Sequence, residues 1–239
     1  MVPVRYMSRI RLDFDIEKEM WIPAEKWLVN QGLGVKREFR MPWGICDLVG
    51  VGWSHPRVTE RRLRKQENSI GPPSRVAILQ LIPDEASGRF ATVLELSARL
   101  GEPAESIESE LKALVRRRFV NRLNDGRLTS AISWAPLHTR IIAIELKLDR
   151  IGEAINQARS HVAFATASFV GFPTEVAERI LRGDHLGELS NAGIGLLSIS
   201  QAGAVELVTP ASNALIPNDP VLQMHCVERF WPQLTSTVT

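Results

Sequence analysis

The chain has 239 residues, of which 44% are hydrophobic and 23% are charged, and these proportions are typical of a globular protein with a buried core. They exclude an intrinsically disordered, collagen-like or disulfide-built chain. The formal net charge is only +2, so a nucleic-acid-binding surface would have to come from local clusters of basic residues. The length predicts one large domain or two smaller ones.

No stretch reaches the roughly 18 consecutive apolar residues that cross a bilayer. The N-terminal region carries several arginines and lacks the apolar block of a secretory signal. Cys46 and Cys226 lie in unlike contexts, which favours two buried thiols over a disulfide or a zinc framework. We therefore expect a cytoplasmic protein with no membrane partner.

The first predicted elements are a helix near residues 23–30 and strands near 35–39 and 44–53. In the second strand, two-residue periodicity places Asp47 on one face and Cys46 on the opposite face. The neighbours of Asp47 on its face are aliphatic. A carboxylate at such a position needs a partner, because a buried unpaired charge is costly.

Residues 57–134 differ in composition from the rest of the chain, with 14 basic and 10 acidic side chains against 15 and 17 elsewhere. The stretch 57–65 is polar and basic, and a Gly-Pro-Pro run follows at 71–73, which together predict a linker. The segment is therefore predicted to be a separately folded insert. The chain then divides into three parts: 1–56, 57–134 and 135–239.

Inside the insert, capping and periodicity signals predict three short helices that begin near Ser74, Thr92 and Pro103. The step Asp125-Gly126 then predicts a β-hairpin. Three helices followed by a hairpin resemble the winged helix-turn-helix family, with the hairpin as the wing.

The winged-helix resemblance implies that the third helix and the wing contact DNA. Glu105, Glu108 and Glu110 lie in the first half of that helix and would repel phosphates, so contacts to the backbone are expected and base reading is not. The alternative is a solvated face on a packing or dimerising module. The candidate nucleic-acid-binding residues are Lys112, Arg116, Arg117, Arg122 and Arg127.

After the insert, the alternation over residues 140–148 places Glu145 and Lys147 on one face of a strand. An acid and a base inside an aliphatic strand are costly unless they are paired or bind a metal. The remaining predicted elements are a helix at 152–161, a strand at 162–171, a helix from residue 174, a strand at 193–200 and a terminal helix at 221–230.

Asp47, followed much later by Glu145-Leu146-Lys147 and a helix, resembles the PD-(D/E)xK nuclease superfamily, also called restriction endonuclease-like. The resemblance covers the chain outside the insert. It implies an α/β fold, a restriction endonuclease-like core with a mixed sheet flanked by helices, interrupted by the winged-helix domain. The proline that often precedes the aspartate is replaced by Cys46, a departure that the family tolerates.

The resemblance assigns Asp47, Glu145 and the carbonyl of Leu146 as ligands of Mg²⁺, for which Mn²⁺ would substitute. A hard cation held by oxygen ligands neutralises charge on the phosphate and lowers the pKa of an attacking water. Lys147 would orient or deprotonate this water, or stabilise the charge of the transition state. One metal ion and two metal ions both remain open.

Two further residues enter by resemblance alone. Glu17, near the opening helix, is expected as an additional metal ligand, with a solvated acid at a helix start as the alternative. Gln157, on the helix after the second motif, is expected near the active site, with a polar surface residue as the alternative. For Asp47, Glu145 and Lys147 together, the alternative is a buried structural ion pair.

These resemblances imply a metal-dependent endonuclease that hydrolyses phosphodiester bonds in DNA, aided by the winged helix. A homodimer is expected from the nuclease resemblance alone. The alternatives are a DNA-binding or regulatory protein that no longer cuts, and an insert that recruits protein. Affinity that falls steeply with salt would indicate phosphate contacts. His138, His161 and His185 have no metal-ligand spacing and are predicted to be structural.

Overall fold

The computed structural model describes residues 14–131, 136–212 and 219–236. Over these ranges the chain is an α/β protein with a mixed sheet flanked by helices, as expected. The strands are β1 (Gly34–Met41), β2 (Gly44–Trp53), β3 (Val120–Arg122), β4 (Leu128–Ser130), β5 (His138–Leu146), β6 (Ala167–Pro173), β7 (Gly195–Ile199) and β8 (Val205–Thr209). The helices are α1 (Trp21–Asn30), α2 (His55–Leu63), α3 (Pro73–Leu81), α4 (Val93–Leu100), α5 (Ala104–Arg116), α6 (Ile151–His161), α7 (Thr174–Leu181), α8 (His185–Ala192), α9 (Pro220–Glu228) and α10 (Trp231–Ser236).

The main sheet has the strand order β1-β2-β5-β6-β7-β8. The pairs β5–β6 and β6–β7 are parallel and the other pairs are antiparallel. Helix α6 connects β5 to β6, and α7 with α8 connects β6 to β7, as parallel neighbours require a crossover. The strands that carry Asp47 and Glu145 are therefore adjacent, although the insert separates them in the chain.

The two faces of the sheet bury different helices, as β5 shows by strict alternation. Ile142 and Ile144 pack with Leu28 of α1 on one face. Ile141 and Ala143 lie on the other face, in the cluster that contains residues of α9 and α10. The uninterrupted apolar run of β5 follows from this burial on both faces.

The predicted linker at 57–65 is wrong, because α2 occupies most of it. Pro56 sits in the first turn of α2, where its missing N–H costs nothing. Val58 and Arg61 face inward and are buried. The basic composition of this stretch therefore led to a wrong linker prediction, although the stretch is a helix whose buried Arg61 forms an ion pair.

The partner of Arg61 is Glu228 of α9. The Arg61 Nη2 atom donates to Glu228 Oε2 at 3.0 Å, and the Ile70 N–H donates to the same oxygen at 2.7 Å. The Arg61 guanidinium also lies 3.8 Å from the ring centroid of Trp231. Met224 of α9 belongs to the apolar core of the insert. The insert and the C-terminal helices thus share one core, a connection that the sequence did not indicate.

Within the insert, the three expected helices and the hairpin are present as α3, α4, α5 and β3–β4. The Thr92–Glu95 capping box is formed, with Thr92 N donating to Glu95 Oε2 at 2.8 Å. The end of the predicted second hairpin strand and the boundary at 134–135 lie outside the described residues. Pro103 is the residue before α5 begins.

Two predictions after the insert need correction. The strand expected at 162–171 begins only at Ala167, because the chain turns after α6 and Ala165 N bonds back to His161 O at 2.9 Å. The strand expected to be last is followed by β8, which pairs with β7 and is only half-buried. Among the described residues, we find no helix with the length and apolarity to span a membrane.

Candidate functional site

The candidate site forms where β2 and β5 lie side by side at the end of β5. Their ladder pairs Leu48 with Ile144, and beyond this pair Asp47 turns its side chain onto the backbone of β5. Asp47 Oδ2 accepts a hydrogen bond from Leu146 N at 2.8 Å. The carboxylate is thereby fixed next to the Glu145-Leu146-Lys147 segment, as the sequence predicted.

Glu145 and Lys147 form a buried ion pair. Lys147 Nζ lies 2.6 Å from Glu145 Oε1, and the two residues are only 6% and 1% exposed. Lys147 N donates to Gly171 O at 3.1 Å, so the backbone continues the ladder with β6 past the assigned end of β5. The alternation therefore persists, and the two side chains emerge on the same face.

Glu17 joins this group from the start of the chain. It begins a short 3₁₀ turn, Glu17–Met20, that leads into α1. Its Oε2 atom lies 4.0 Å from Lys147 Nζ, and its Oε1 atom accepts a hydrogen bond from Arg150 at 3.1 Å. The structure thus brings together Glu17, Asp47, Glu145 and Lys147, which come from three separate segments of the sequence.

The crowding of carboxylates changes their acidity. Burial and the neighbouring charge of Asp47 raise the pKa of Glu145 to about 7, against the opposing effect of Lys147. Burial also raises the pKa of Asp47, although the Leu146 N–H and Lys147 oppose this. Burial lowers the pKa of Lys147, but the hydrogen bond and charge of Glu145 outweigh it, so the pKa of this ammonium is raised. Lys147 is therefore a cation at neutral pH.

Gln157 and Leu146 have less defined positions in the site. Gln157 lies on α6 and is partly buried, with its Oε1 atom enclosed and without a hydrogen-bond partner among the described residues. Leu146 is fully buried in the core on the α1 face, and its N–H serves Asp47. The role of the Leu146 carbonyl as a metal ligand stays a prediction.

Cys46 and His161 are close to the site, which the sequence analysis missed. Cys46 was expected on the face opposite Asp47, but it packs with Val49 on the face of Glu145. The pairing of β1 with β2 skips Asp47 and the residue opposite it, Glu38, which has a φ of 48°. The register is the same on both sides of this gap, so the change of face coincides with a left-handed residue and not with a bulge.

His161 lies at the end of α6 and is 3% exposed. Its Nδ1 atom lies 3.7 Å from Cys46 Sγ, and its Nε2 atom lies 3.9 Å from Glu145 Oε2. Burial and the charge of Lys147 lower the pKa of His161 to about 4, so the ring is neutral at neutral pH. His161 follows Gln157 by four residues, and this helical spacing was the signal that could have placed it near the site.

The five basic candidates of the insert fall into three groups. Lys112 and Arg116 are exposed on α5. Arg122 pairs with Glu108, and Arg127 pairs with Asp125 at 2.6 Å and stacks on Phe90. The third group is Arg117 alone, whose guanidinium donates to the carbonyls of Ser69 at 2.7 Å and Ile70 at 2.9 Å.

Two of the acidic residues of α5 form ion pairs within the insert. Glu110 pairs with Arg75, and Glu108 pairs with Arg122, so two of its three carboxylates are compensated within the insert. Glu105 is exposed. The first half of α5 is therefore less negative than its sequence suggested.

Comparisons with known proteins add no assignment. No protein-family model, no curated protein and no solved structure matches this chain.

Proposed function

We propose that the chain is a divalent-metal-dependent nuclease of the PD-(D/E)xK type that hydrolyses phosphodiester bonds in DNA. One observation supports this proposal above all others. Asp47, Glu145 and Lys147, which reside on two adjacent strands, converge on one end of the sheet with Glu17 beside them. A structural ion pair needs one acid and one base, whereas this group contains three carboxylates.

The residues fit a hard divalent cation such as Mg²⁺. All the donors in this group are carboxylate oxygens, the ligand type that Mg²⁺ and Mn²⁺ prefer. Burial and the charge of Asp47 raise the pKa of Glu145, so the two carboxylates lie close enough to repel each other. A cation held by both carboxylates would remove this repulsion. Asp47 and Glu145 would hold the metal, with Glu17 and the Leu146 carbonyl as further ligands.

Each side chain then has a separate task. When bound, the metal ion supplies a Lewis acid that stabilises negative charge on the phosphate and lowers the pKa of water. Asp47 is fixed by the Leu146 N–H, so it presents its other oxygen without reorganisation. Lys147 is charged, which favours stabilisation of the transition-state charge or orientation of the water over proton abstraction.

The proposal includes the finer architecture. Residues 1–56 and 135–239 would form a restriction endonuclease-like core, and 57–134 a winged helix-turn-helix domain. The docking of the insert against α9 gives it a fixed orientation relative to the sheet. DNA held by Lys112 and Arg116, with Arg122 and Arg127 on the wing, would then be presented in one orientation. A homodimer is part of the proposal, because the resemblance implies it and two copies would supply one site for each strand of a duplex.

The test is cleavage of supercoiled plasmid and of labelled duplex and single-stranded oligonucleotides with Mg²⁺ or Mn²⁺, beside Lys147→Ala. We expect cleavage by the wild type that chelation abolishes. Lys147→Ala should reduce the rate by about 100-fold or more, because a positioned acid–base or charge-stabilising group contributes at least that much. A matched control is Lys26→Ala, which removes an exposed lysine of α1 that has no role in the proposal.

A wild type that binds these DNAs with steep salt dependence and never cuts them would refute the nuclease and favour the non-cleaving alternative. Cleavage that Lys147→Ala leaves unchanged would show that the Glu145–Lys147 pair is structural. Sedimentation of the chain with and without DNA decides the homodimer separately.

A further inference from the structure

The two oxygens of the Glu145 carboxylate face different groups. Oε1 accepts a hydrogen bond from Lys147 Nζ at 2.6 Å, and the same ammonium lies 4.0 Å from Glu17 Oε2. Oε2 faces the imidazole of His161 at 3.9 Å and makes no hydrogen bond among the described residues. The proposed nuclease chemistry uses the first side and gives no role to the second.

The second side carries a thiol, an imidazole and a carboxylate. Cys46 Sγ, a ring nitrogen of His161 and an oxygen of Glu145 all lie within 4.8 Å of one another, and all three residues are buried. With zinc bond lengths of about 2.0–2.3 Å, the ligand atoms of a tetrahedral site are separated by roughly 3.3–3.6 Å. The 3.7 Å separation joins Cys46 Sγ to His161 Nδ1, and the 3.9 Å separation joins His161 Nε2 to Glu145 Oε2. Since an imidazole binds one metal ion through a single nitrogen, only one of these two separations belongs to the ligand set, and each is close to this range.

Hydrogen bonding alone does not account for this arrangement. The separation of 3.9 Å between His161 Nε2 and Glu145 Oε2 is too long for a hydrogen bond. The thiol of Cys46 has the carbonyls of Leu48 and Ile144 at 3.3 and 3.5 Å as acceptors. The unsatisfied carboxylate oxygen and the ring nitrogen beside it therefore point to a ligand between them.

We propose that Cys46, His161 and Glu145 form a binding site for a thiolate-preferring divalent metal, Zn²⁺ above all, distinct from the oxygen-lined site for Mg²⁺. A sulfur, a nitrogen and an oxygen ligand suit Zn²⁺, whereas Mg²⁺ takes oxygen ligands. On binding, the Cys46 S–H bond breaks, the sulfur–metal bond forms and the proton passes to solvent. The metal atom undergoes no redox change.

The two sites share Glu145, and this has a consequence that rests on the proposed nuclease function. A Zn²⁺ ion that takes Glu145 Oε2 draws the carboxylate toward Cys46 and His161. Mg²⁺ then loses one of its two main ligands. Zn²⁺ should therefore inhibit cleavage by competition for Glu145, and removal of Cys46 should abolish this sensitivity while leaving the proposed catalytic residues in place.

The experiment uses the full chain, freed of metal by chelation and titrated with Co²⁺ as a spectroscopic substitute for Zn²⁺. A cobalt–thiolate bond gives a strong charge-transfer absorption in the near ultraviolet, so the band reports sulfur ligation directly. The chain has two cysteines, and Cys226→Ser leaves Cys46 as its only thiol. Cys226 is also buried, which makes this variant a matched control for Cys46→Ser.

We expect the band in the wild type and in Cys226→Ser, and its loss in Cys46→Ser. His161→Gln should weaken Zn²⁺ affinity by at least about 100-fold, since residues that only orient metal ligands already contribute roughly 10–100-fold. Absence of the band in Cys226→Ser would overturn the site, and so would its survival in a folded Cys46→Ser. If Cys46→Ser does not fold by circular dichroism, the spectrum of Cys226→Ser alone decides the question.

The competition is measured in a separate experiment. Zn²⁺ added to Mg²⁺-dependent cleavage should inhibit the wild type and Cys226→Ser but not Cys46→Ser. Equal inhibition of all three would overturn the competition. A chain that shows the thiolate band and never cuts DNA would support the Zn²⁺ site and refute the nuclease, so the two proposals fail separately.

Discussion

At the end of β5, Glu145 and Lys147 are 1% and 6% exposed, whereas Lys112 and Arg116 on α5 of the insert lie exposed to solvent. Charges of the first region are held in fixed positions by strand register and by burial, and they alter one another's pKa. The charges of the second region are solvated, and their effect on a partner is screened by salt. The same residue types are therefore held in place and perturb one another in the first region, whereas they are solvated and independent in the second. Four predictions test this difference.

The largest effect is expected from the buried region. Asp47→Ala and Glu145→Ala should abolish Mn²⁺ binding and cleavage together, because both residues are proposed ligands. Lys147→Ala should keep the metal and lose about 10²–10⁴-fold in rate, because it acts on charge and on water rather than as a ligand. Calorimetric titration with Mn²⁺ separates the roles, and Glu178→Ala, which removes an exposed carboxylate, is the control. Equal Mn²⁺ affinity in all four proteins would show that Asp47 and Glu145 are structural.

A large loss in the free energy of unfolding is expected where the insert contacts α9. Glu228→Ala leaves the buried Arg61 without its carboxylate and the Ile70 N–H without its acceptor. Breaking one side of a buried ion pair costs about 3–5 kcal/mol in the free energy of unfolding. Glu178→Ala breaks the exposed pair with Arg182 and should cost less than about 1 kcal/mol. Urea unfolding of the two variants measures both, and similar losses would contradict the distinction between buried and exposed pairs.

An intermediate effect on Mn²⁺ affinity is expected from a change in pH. Because the pKa of Glu145 is raised to about 7, the carboxylate is protonated below that pH and must lose its proton to bind a metal. The apparent Mn²⁺ affinity should therefore fall by about tenfold for each pH unit below about 7.

The raised pKa of Glu145 has the opposite effect on the stability of the metal-free chain, which should fall as the pH rises. A carboxyl group whose pKa is higher in the folded chain stabilises it at low pH, and this contribution is lost as the pH rises from about 4.5 toward about 7. Glu145→Gln should remove this part of the pH dependence. Unfolding and Mn²⁺ titrations across this range measure both, and a wild-type profile that matches Glu145→Gln would refute the assignment.

The smallest effect is expected from the exposed region. Reversing Lys112 and Arg116 together to Glu should weaken DNA binding several-fold for all sequences and lower the salt dependence by roughly one ion per lost contact. Reversing Arg122 and Arg127 should cost less, because these arginines already pair with Glu108 and Asp125. Fluorescence anisotropy at several salt concentrations gives both values. Unchanged DNA affinity in the variant with Lys112 and Arg116 reversed would show that these two residues do not contact DNA.

The sequence predicted the parts of the site that depend on strict periodicity. Alternation along β5 was sufficient to place Glu145 and Lys147 on the same face. Because the strand is buried on both faces, the two charges have to pair with each other or bind a ligand. The adjacency of β2 and β5 followed from the resemblance, and the structure has these strands paired. Helices α4 and α5 followed from their capping residues and apolar stripes.

The parts that the sequence did not predict depend on long-range contacts or on local irregularity. Cys46 changes face beside Glu38, whose left-handed backbone no periodicity reveals. The burial of Arg61 depends on Glu228, which is 167 positions away in the chain. His161 approaches Glu145 only after α6 has packed on the sheet. A pattern of neighbours in sequence contains no information on such partners.

The insert begins and ends at neighbouring points, since Ser54 N donates to Leu137 O at 2.7 Å. If this segment were unfolded, bringing β2 to β5 would carry a loop-closure entropy that grows with the logarithm of its length. A folded insert with adjacent ends removes most of that cost, so the formation of α3–α5 and the pairing of β2 with β5 should be kinetically coupled. In its topology the insert is replaceable by a short turn that would make β2 and β5 a simple hairpin. In its energetics it is not, because the same deletion would expose Met224 and remove Arg61 and the Ile70 N–H, which hydrogen-bond Glu228.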